Sequence, residues 1–216
     1  MPLTRELIAL RVARELLPGM VVNLGVGLPT LVATFAPPGV VFQAENGFLG
    51  YGGVLDPAEV WDPDAINAGG QPVAVLPEAS FFGSDQSFAM IRGGHIDVAV
   101  LGGLQVSAHG DLANWYVPTR GGGSIGGAMD LASGARRLII AMEHTTRDGM
   151  PRILAQCTYP LTAARCVSLI VTDLAVIAVT PSGLALREVA PGVSLEEVIA
   201  RTAAPLDTSD VQEMVL

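Results

Sequence analysis

Val40-Val41-Phe42-Gln43-Ala44-Glu45-Asn46-Gly47-Phe48-Leu49-Gly50 is an apolar run that stops on a single carboxylate followed by Asn-Gly. Val40 to Phe42 read as a buried strand, continuous in apolar character as parallel sheets require. Glu45 therefore stands at the strand's carboxyl end. That edge is where open α/β sheets bind ligands, and Asn46-Gly47 supplies the residues that a sharp turn there needs.

Working outward toward the amino terminus, Met20 to Leu24 form a short strand that runs into Gly25-Val26-Gly27-Leu28-Pro29-Thr30. Pro29 is placed to open a helix over Leu31 to Phe35. A strand, a glycine turn and a helix make a loop whose backbone N–H groups can face a ligand. Ahead of it, Thr4 can cap a helix carrying Leu7, Ile8, Val12, Leu16 and Leu17 at helical spacing, stopped by Pro18-Gly19. In the other direction, Gly50, Gly52, Gly53, Pro57, Pro63, Gly69, Gly70 and Pro72 make a breaker-rich segment that reads as a functional loop. Strands return at Val73 to Leu76 and Ile96 to Leu101, with Ser84 capping a helix to Ile91 between them. The alternation predicts an α/β fold: an open three-layer α/β/α sandwich around a mostly parallel sheet.

Length and composition allow one domain spanning 1–216, since 216 residues, half of them apolar, can close one sizeable core. Twelve Lys plus Arg against 21 Asp plus Glu give a net charge of -9, which argues against electrostatic binding to nucleic acid or an anionic membrane. Cys157 and Cys166, without CxxC spacing or a His cluster, predict reduced thiols of a cytoplasmic protein and no metal site. The amino terminus lacks the pattern of a signal peptide, and no apolar run approaches the roughly 18 residues of a spanning helix.

Gly121-Gly122-Gly123-Ser124-Ile125-Gly126-Gly127 holds five glycines in seven positions. It satisfies G-x-G-x-x-G, with Glu143 about twenty residues on, as a dinucleotide site would. The residues before it, Trp115 to Arg120, carry a proline and a charge where an unbroken first strand should stand. The last third reads as structural: strands at Leu138 to Met142, Ile153 to Cys157, Leu169 to Val171 and Ala175 to Val179, a tight turn between strands at Pro181 to Leu184, and a capping box at Ser194 opening a helix that ends near Pro205. The tail from Asp207 reads as polar and surface-bound or partner-bound. His144, beside Glu143, reads as a solvated or strand-end histidine.

Taken together, Asn23 to Thr30, Glu45-Asn46-Gly47, Ile66-Asn67-Ala68-Gly69, Ser80-Phe81-Phe82, Ser87 to His95, Gly110 to Trp115, Gly126 to Leu131, Met142-Glu143-His144 and Pro160-Leu161-Thr162 resemble the B subunit of the 3-oxoacid CoA-transferases, the family I CoA-transferases. The resemblance spans nearly the whole chain. It implies that Glu45 is the catalytic nucleophile, that Gly127 gives a backbone N–H to the oxyanion hole, and that Asn23 moves toward bound CoA. Gly25, Gly27, Asn46, Gly47 and Gly126 complete the expected substrate and CoA site. The implied reaction moves CoA from an acyl-CoA such as succinyl-CoA to a 3-oxoacid or short-chain acid, ping-pong, through a glutamyl-CoA thioester. CoA is then a substrate, and no metal or other cofactor is expected. An A subunit of related fold is the expected partner in a hetero-oligomer.

The chain departs from the family pattern at Gly70, where a Lys is common, at Ala44 for Ser, and at Ser124 for Gly. Two readings from other classes stand beside this one: a dinucleotide-binding oxidoreductase, resting on the glycine run, and a non-catalytic assembly subunit, if Gly70 marks a lost CoA site.

Overall fold

The computed structural model describes residues 2–56 and 58–216. Pro57, one of the breakers named above, lies outside the described residues, as does Met1. Helix α1 (Arg5–Ala13) starts on Thr4, whose hydroxyl accepts from the Leu7 N–H at 3.4 Å. Strand β1 (Val21–Leu24) follows; the Gly25–Thr30 loop then enters a 3-10 turn at Leu28–Leu31, with Pro29 in its first turn, and α2 (Val32–Phe35). Strand β2 (Val41–Ala44) ends one residue before Glu45.

The breaker-rich segment is not all loop: its first part is strand β3 (Phe48–Val54), hairpinned to β2 and paired with β4 (Val73–Phe81). Its glycines hid it. Pairing slips register around Gly50, which has φ +80 and lies close against the Ala79 backbone, so the strand carries no regular apolar alternation. Helix α3 (Ser84–Arg92) makes Ser84 its first residue, with Gly83 at the cap and no side-chain capping bond. Then come β5 (Val98–Leu101), β6 (Gln105–Ser107), β7 (Leu112–Ala113), β8 (Tyr116–Val117), β9 (Gly122–Gly123) and α4 (Ala128–Gly134).

The last third holds β10 (Arg137–Ala141), β11 (Ile153–Leu154), β12 (Leu169–Val171), β13 (Ala175–Thr180), β14 (Gly183–Val189), α5 (Leu195–Ala200), β15 (Leu206–Asp207) and β16 (Gln212–Glu213). The tight turn between strands holds, narrowed to residues 181–182 between β13 and β14. Two expectations change here. The strand expected to reach Cys157 stops at Leu154. The tail, rather than only lying on the surface, adds β15 and β16 to β14. The capping box holds, with Ser194 Oγ accepting from the Glu197 N–H at 3.1 Å.

The main sheet runs β15-β14-β13-β12-β10-β5-β1-β2-β3-β4. Its centre, β12 through β2, is parallel, and antiparallel hairpins extend it on both sides. Both faces are covered. Val98, Val100, Ile139 and Ala141 point into a core shared with Ile8, Val12 and Val32 of α1 and α2. Their neighbours Ala99, Leu101, Leu138 and Ile140 point the other way, onto Ile91, Leu131 and Val198 of α3, α4 and α5. That period of two explains why these strands read as unbroken apolar runs, and burying each large side chain stabilises the fold by about 1.5–3 kcal/mol.

The topology also locates a site. From β1 the chain crosses to β2 on one side and later returns through α3 to β5 on the other, so the carboxyl ends of β2, β1 and β5 flank a switch point. Among the described residues no helix is long and apolar enough to cross a membrane.

Candidate active site

A cavity of about 560 Å³ opens at that switch point. Asn23, Gly25 and Val26 line it from the end of β1, Glu45 from the end of β2, and Leu101 to Leu104 from the end of β5. Ser124 to Ala128, leading into α4, close another wall. Five of the eight residues singled out from sequence meet here: Asn23, Gly25, Glu45, Gly126 and Gly127. Gly27 lines a smaller neighbouring cavity of about 210 Å³ with Arg5, Glu143 and Arg152.

Asn46 and Gly47 do not line either cavity; they build the turn that aims Glu45. Asn46 Nδ2 donates to the Ile66 carbonyl at 3.0 Å, tying the turn to the 55–72 loop. Gly47 has φ +114, and a Cβ there would overlap the Phe82 carbonyl oxygen, so only glycine fits. Its N–H donates to the Ala44 carbonyl at 3.1 Å, closing the hairpin around Glu45.

Glu45 is half-buried, and no ion pair among the described residues engages it. Its side chain lies against Gly127: a Cβ built on Gly127 would come 3.3 Å from Glu45 Cγ and 3.2 Å from Phe88 Cζ. Glycine at 127 thus lets carboxylate and loop backbone approach closely. The Gly127 N–H donates to no protein acceptor among the described residues, which leaves it free for a ligand oxygen. Burial, and secondarily the charge of Glu45, push the Tyr51 hydroxyl's pKa above its ordinary value.

Behind Glu45 lies a chain of buried polar side chains. Asn23 and Gln43 are register partners across β1 and β2, and both are fully buried. Asn23 Nδ2 donates to the Gln43 carbonyl at 3.0 Å and to Gln43 Oε1 at 2.6 Å, and Gln43 Nε2 donates to Ser87 Oγ on α3 at 2.6 Å. Sequence reading left out Gln43 and Ser87, although a Gln amid Val-Val-Phe, two residues before the acid, was a usable signal. It also left out Asn114, a cavity residue whose Nδ2 holds the Gly102 carbonyl at 3.1 Å while its Oδ1 accepts from Thr162 at 2.6 Å.

Other nucleophile and base candidates fall away. Burial, with Asp111 nearby, pushes both half-buried thiols, Cys157 and Cys166, up to about 11, so neither is a thiolate near neutrality. His144 is neither solvated nor paired with Glu143. It is fully buried between the Thr172 and Thr202 hydroxyls at 2.9 and 2.8 Å, and burial, aided by the Arg201 charge, lowers its pKa to about 4. The glycine run fails the dinucleotide context: β8 and β9 pair antiparallel, so Gly122 and Gly123 lie in a hairpin instead of joining a parallel strand to a helix. Gly70 has φ +72 in a turn two residues beyond Ala68 of the cavity wall, so no side chain reaches in from it. Among the described residues no group of His, Cys, Asp and Glu is arranged to hold a metal ion.

A model of the coenzyme A transferase family matches residues 5–201. The chain is 51% identical over 207 residues to the beta chain of the acetate CoA-transferase of Escherichia coli K12, covering 95% of this chain and 94% of that protein. It is 48% identical over 204 residues to the B subunit of the succinyl-CoA:3-ketoacid coenzyme A transferase of Helicobacter pylori 26695, covering 94% and 98%. The solved acyl-CoA transferase YdiF of Escherichia coli O157:H7 shares the fold at a TM-score of 0.76 and 20% identity; the alignment covers 100% of this chain but only 44% of YdiF, so this chain spans less than half of that one.

Proposed function

Since the chain belongs to the coenzyme A transferase family, we propose that Glu45 is its nucleophile and carries CoA as a glutamyl thioester between an acyl-CoA and a carboxylic acid. The observation that carries this reading is the Glu45 side chain packed against Gly127, without an ion pair among the described residues, on the wall of the switch-point cavity.

A Glu45 carboxylate oxygen attacks the thioester carbonyl, forming a mixed anhydride as the carbon–sulfur bond breaks and CoA leaves as thiolate. The thiolate then attacks the Glu45 side-chain carbonyl. The new bond is the glutamyl-CoA thioester, and the acyl group departs as its carboxylate. A second carboxylate reverses both steps and leaves as the new CoA ester, with no net proton or electron transferred. Each attack places negative charge on a carbonyl oxygen, and the Gly127 N–H, which has no protein acceptor among the described residues, is the proposed donor to it, a contribution of about 3 kcal/mol. The chemistry asks for no metal or redox cofactor.

Residues 124–126 of the wall are exposed in the isolated chain, whereas the anhydride and thioester require water to be kept out. Both relatives are, by name, one of the unlike chains of their enzymes. We assign the missing cover, and a further oxyanion donor, to an A subunit, so that the chain works in a hetero-oligomer. A 3-oxoacid or short-chain acid is the proposed acceptor and succinyl-CoA a proposed donor; assay of the reconstituted pair against a panel of acids identifies them. Glu45→Gln, freshly purified, should abolish transfer with the fold intact. Retained turnover would reject the role of Glu45.

A further inference from the structure

The smaller cavity takes no part in the transfer chemistry. It lies between the start of α1 and the carboxyl ends of β5 and β10, with Arg5, Pro29, Glu143 and Arg152 in its lining and a volume of about 210 Å³. Val26, Gly102 and Gly103 line both cavities, so the wall they share is one side chain and glycine backbone. A Cβ built on Gly102 would have nothing within 4 Å, so the space beside it is open.

Arg5 stands out in this lining. It is the first residue of α1, where the helix dipole disfavours a cation. It is exposed, and no carboxylate pairs with it among the described residues. Its guanidinium lies over the Gly27 turn, where a built Cβ would come 3.8 Å from Nη2. Arg152 is already engaged, by the Glu143 carboxylate at 3.2 Å and the Gly103 carbonyl at 3.5 Å. Two arginines against one glutamate leave a single positive charge, and Arg5 carries it. Such a cavity suits a singly charged carboxylate, which the Arg5 fork can hold bidentately, better than a doubly charged phosphate, which Glu143 would repel.

We infer that this cavity is the subsite for the terminal carboxylate of a dicarboxylic acyl group, and that Arg5 sets the preference for such a group over an uncharged acyl chain of the same length. The inference rests on the CoA-transfer reading above, in which Glu45 attacks the thioester carbon. Glu45 follows β2 and Gly102 follows β5, with β1 between them, so the two positions stand about 10 Å apart. A succinyl group spans about 4 Å between its two carboxyl carbons, at ~1.5 Å per bond. Contacts of about 3 Å at each end bring its reach to about 10 Å. It therefore links the Glu45 carboxylate to a guanidinium at the shared wall. An acetyl group ends short of it.

The test uses the chain reconstituted with its A subunit and compares succinyl-CoA with butyryl-CoA, which carries a methyl in place of the second carboxylate. The parent should favour succinyl-CoA. Arg5→Met should lower that preference, read as the ratio of the two kcat/KM values, by roughly tenfold, the scale of one exposed charge-assisted contact. Arg5→Lys, which keeps the charge without the fork, should recover part of it. Glu143→Gln removes the negative charge from the same wall and should move the ratio the other way, by roughly two- to threefold; both shifts should shrink as salt is raised. A packing role would not give opposite shifts that follow the charge of the acyl group. A parent that uses butyryl-CoA as readily as succinyl-CoA, or uses neither, would overturn the inference. Equal losses with both thioesters in Arg5→Met would do the same and would mark Arg5 as a contact of CoA itself. Borohydride trapping on Glu45 separates the two claims. A parent that turns over without a Glu45 thioester rejects the nucleophile and leaves the ratio to judge the subsite, whereas a trapped thioester with an unmoved ratio rejects the subsite alone.

Discussion

Gly127→Ala should slow CoA transfer while leaving the chain folded. With φ -86 and ψ 2, position 127 suits any L-residue, so the substitution brings no backbone strain. The added methyl would stand 3.2 Å from Phe88 Cζ and 3.3 Å from Glu45 Cγ. Both are inside the ~3.5–4.0 Å optimum for carbon pairs, so one side chain must yield by a few tenths of an ångström. Overpacking of this size costs about 1 kcal/mol of stability. A reacting group misplaced by about 1 Å can lose ~100-fold in rate, so a shift of a third of that predicts a fall in kcat of roughly three- to tenfold. Initial rates of the reconstituted pair, read beside a urea unfolding curve of the variant chain, measure both quantities. A stable variant with unchanged kcat would refute the claim that Glu45 works against the Gly127 backbone; a variant that unfolds would make the position structural.

Gly47→Ala should do the reverse and cost at least about 2 kcal/mol, because φ +114 and the Phe82 carbonyl both oppose a Cβ; urea unfolding within a few tenths of a kcal/mol of the parent would contradict that backbone contact. His144, whose pKa falls from 6.5 to about 4 on folding, contributes stability that is whole above pH 6.5 and declines as pH falls toward 4. The loss comes to about 3 kcal/mol by linkage. Asp173, raised by burial, acts in the opposite sense, so the difference between parent and His144→Gln across pH 4–7 isolates the histidine, and identical pH slopes would refute its burial as neutral imidazole. Arg11→Met removes a bidentate pair with Glu188 at 2.6 and 2.7 Å and a 2.8 Å bond to Glu15. It should destabilise the chain by about 3 kcal/mol; a loss under 1 kcal/mol would show that the network contributes little.

The parallel centre of the sheet was legible because Val98 to Leu101 and Leu138 to Ala141 bury both faces, which leaves a continuous apolar signature. The place of Glu45 just past the end of β2 was legible for the same reason, whereas an acid at a strand-turn junction is most often a solvated one, and its role was read only from the resemblance. Strand β3 was not, since Gly50, Gly52 and Gly53 serve its bulged pairing and erase its alternation. Strands β15 and β16 escaped because two-residue pairings to β14 leave no periodic trace. His144 was left open between a solvated and a strand-end histidine; it stands just past the end of β10, and its burial was not legible because it depends on Thr172 and Thr202, which are distant in sequence. Within the site, Gly25 stood in a glycine turn that could face a ligand, Gly127 entered only through the resemblance, and Gly47 was legible as a turn residue although its contact with Phe82, distant in sequence, was not.

The account's central claim is a covalent bond between CoA and one named side chain. Incubation of the reconstituted pair with acyl-CoA, reduction with borohydride and peptide mapping by mass spectrometry test it directly. The account predicts a modification at Glu45 that depends on acyl-CoA and is removed by prior addition of the acceptor acid. An unmodified Glu45 in a pair that turns over, or a label on another residue, would contradict it.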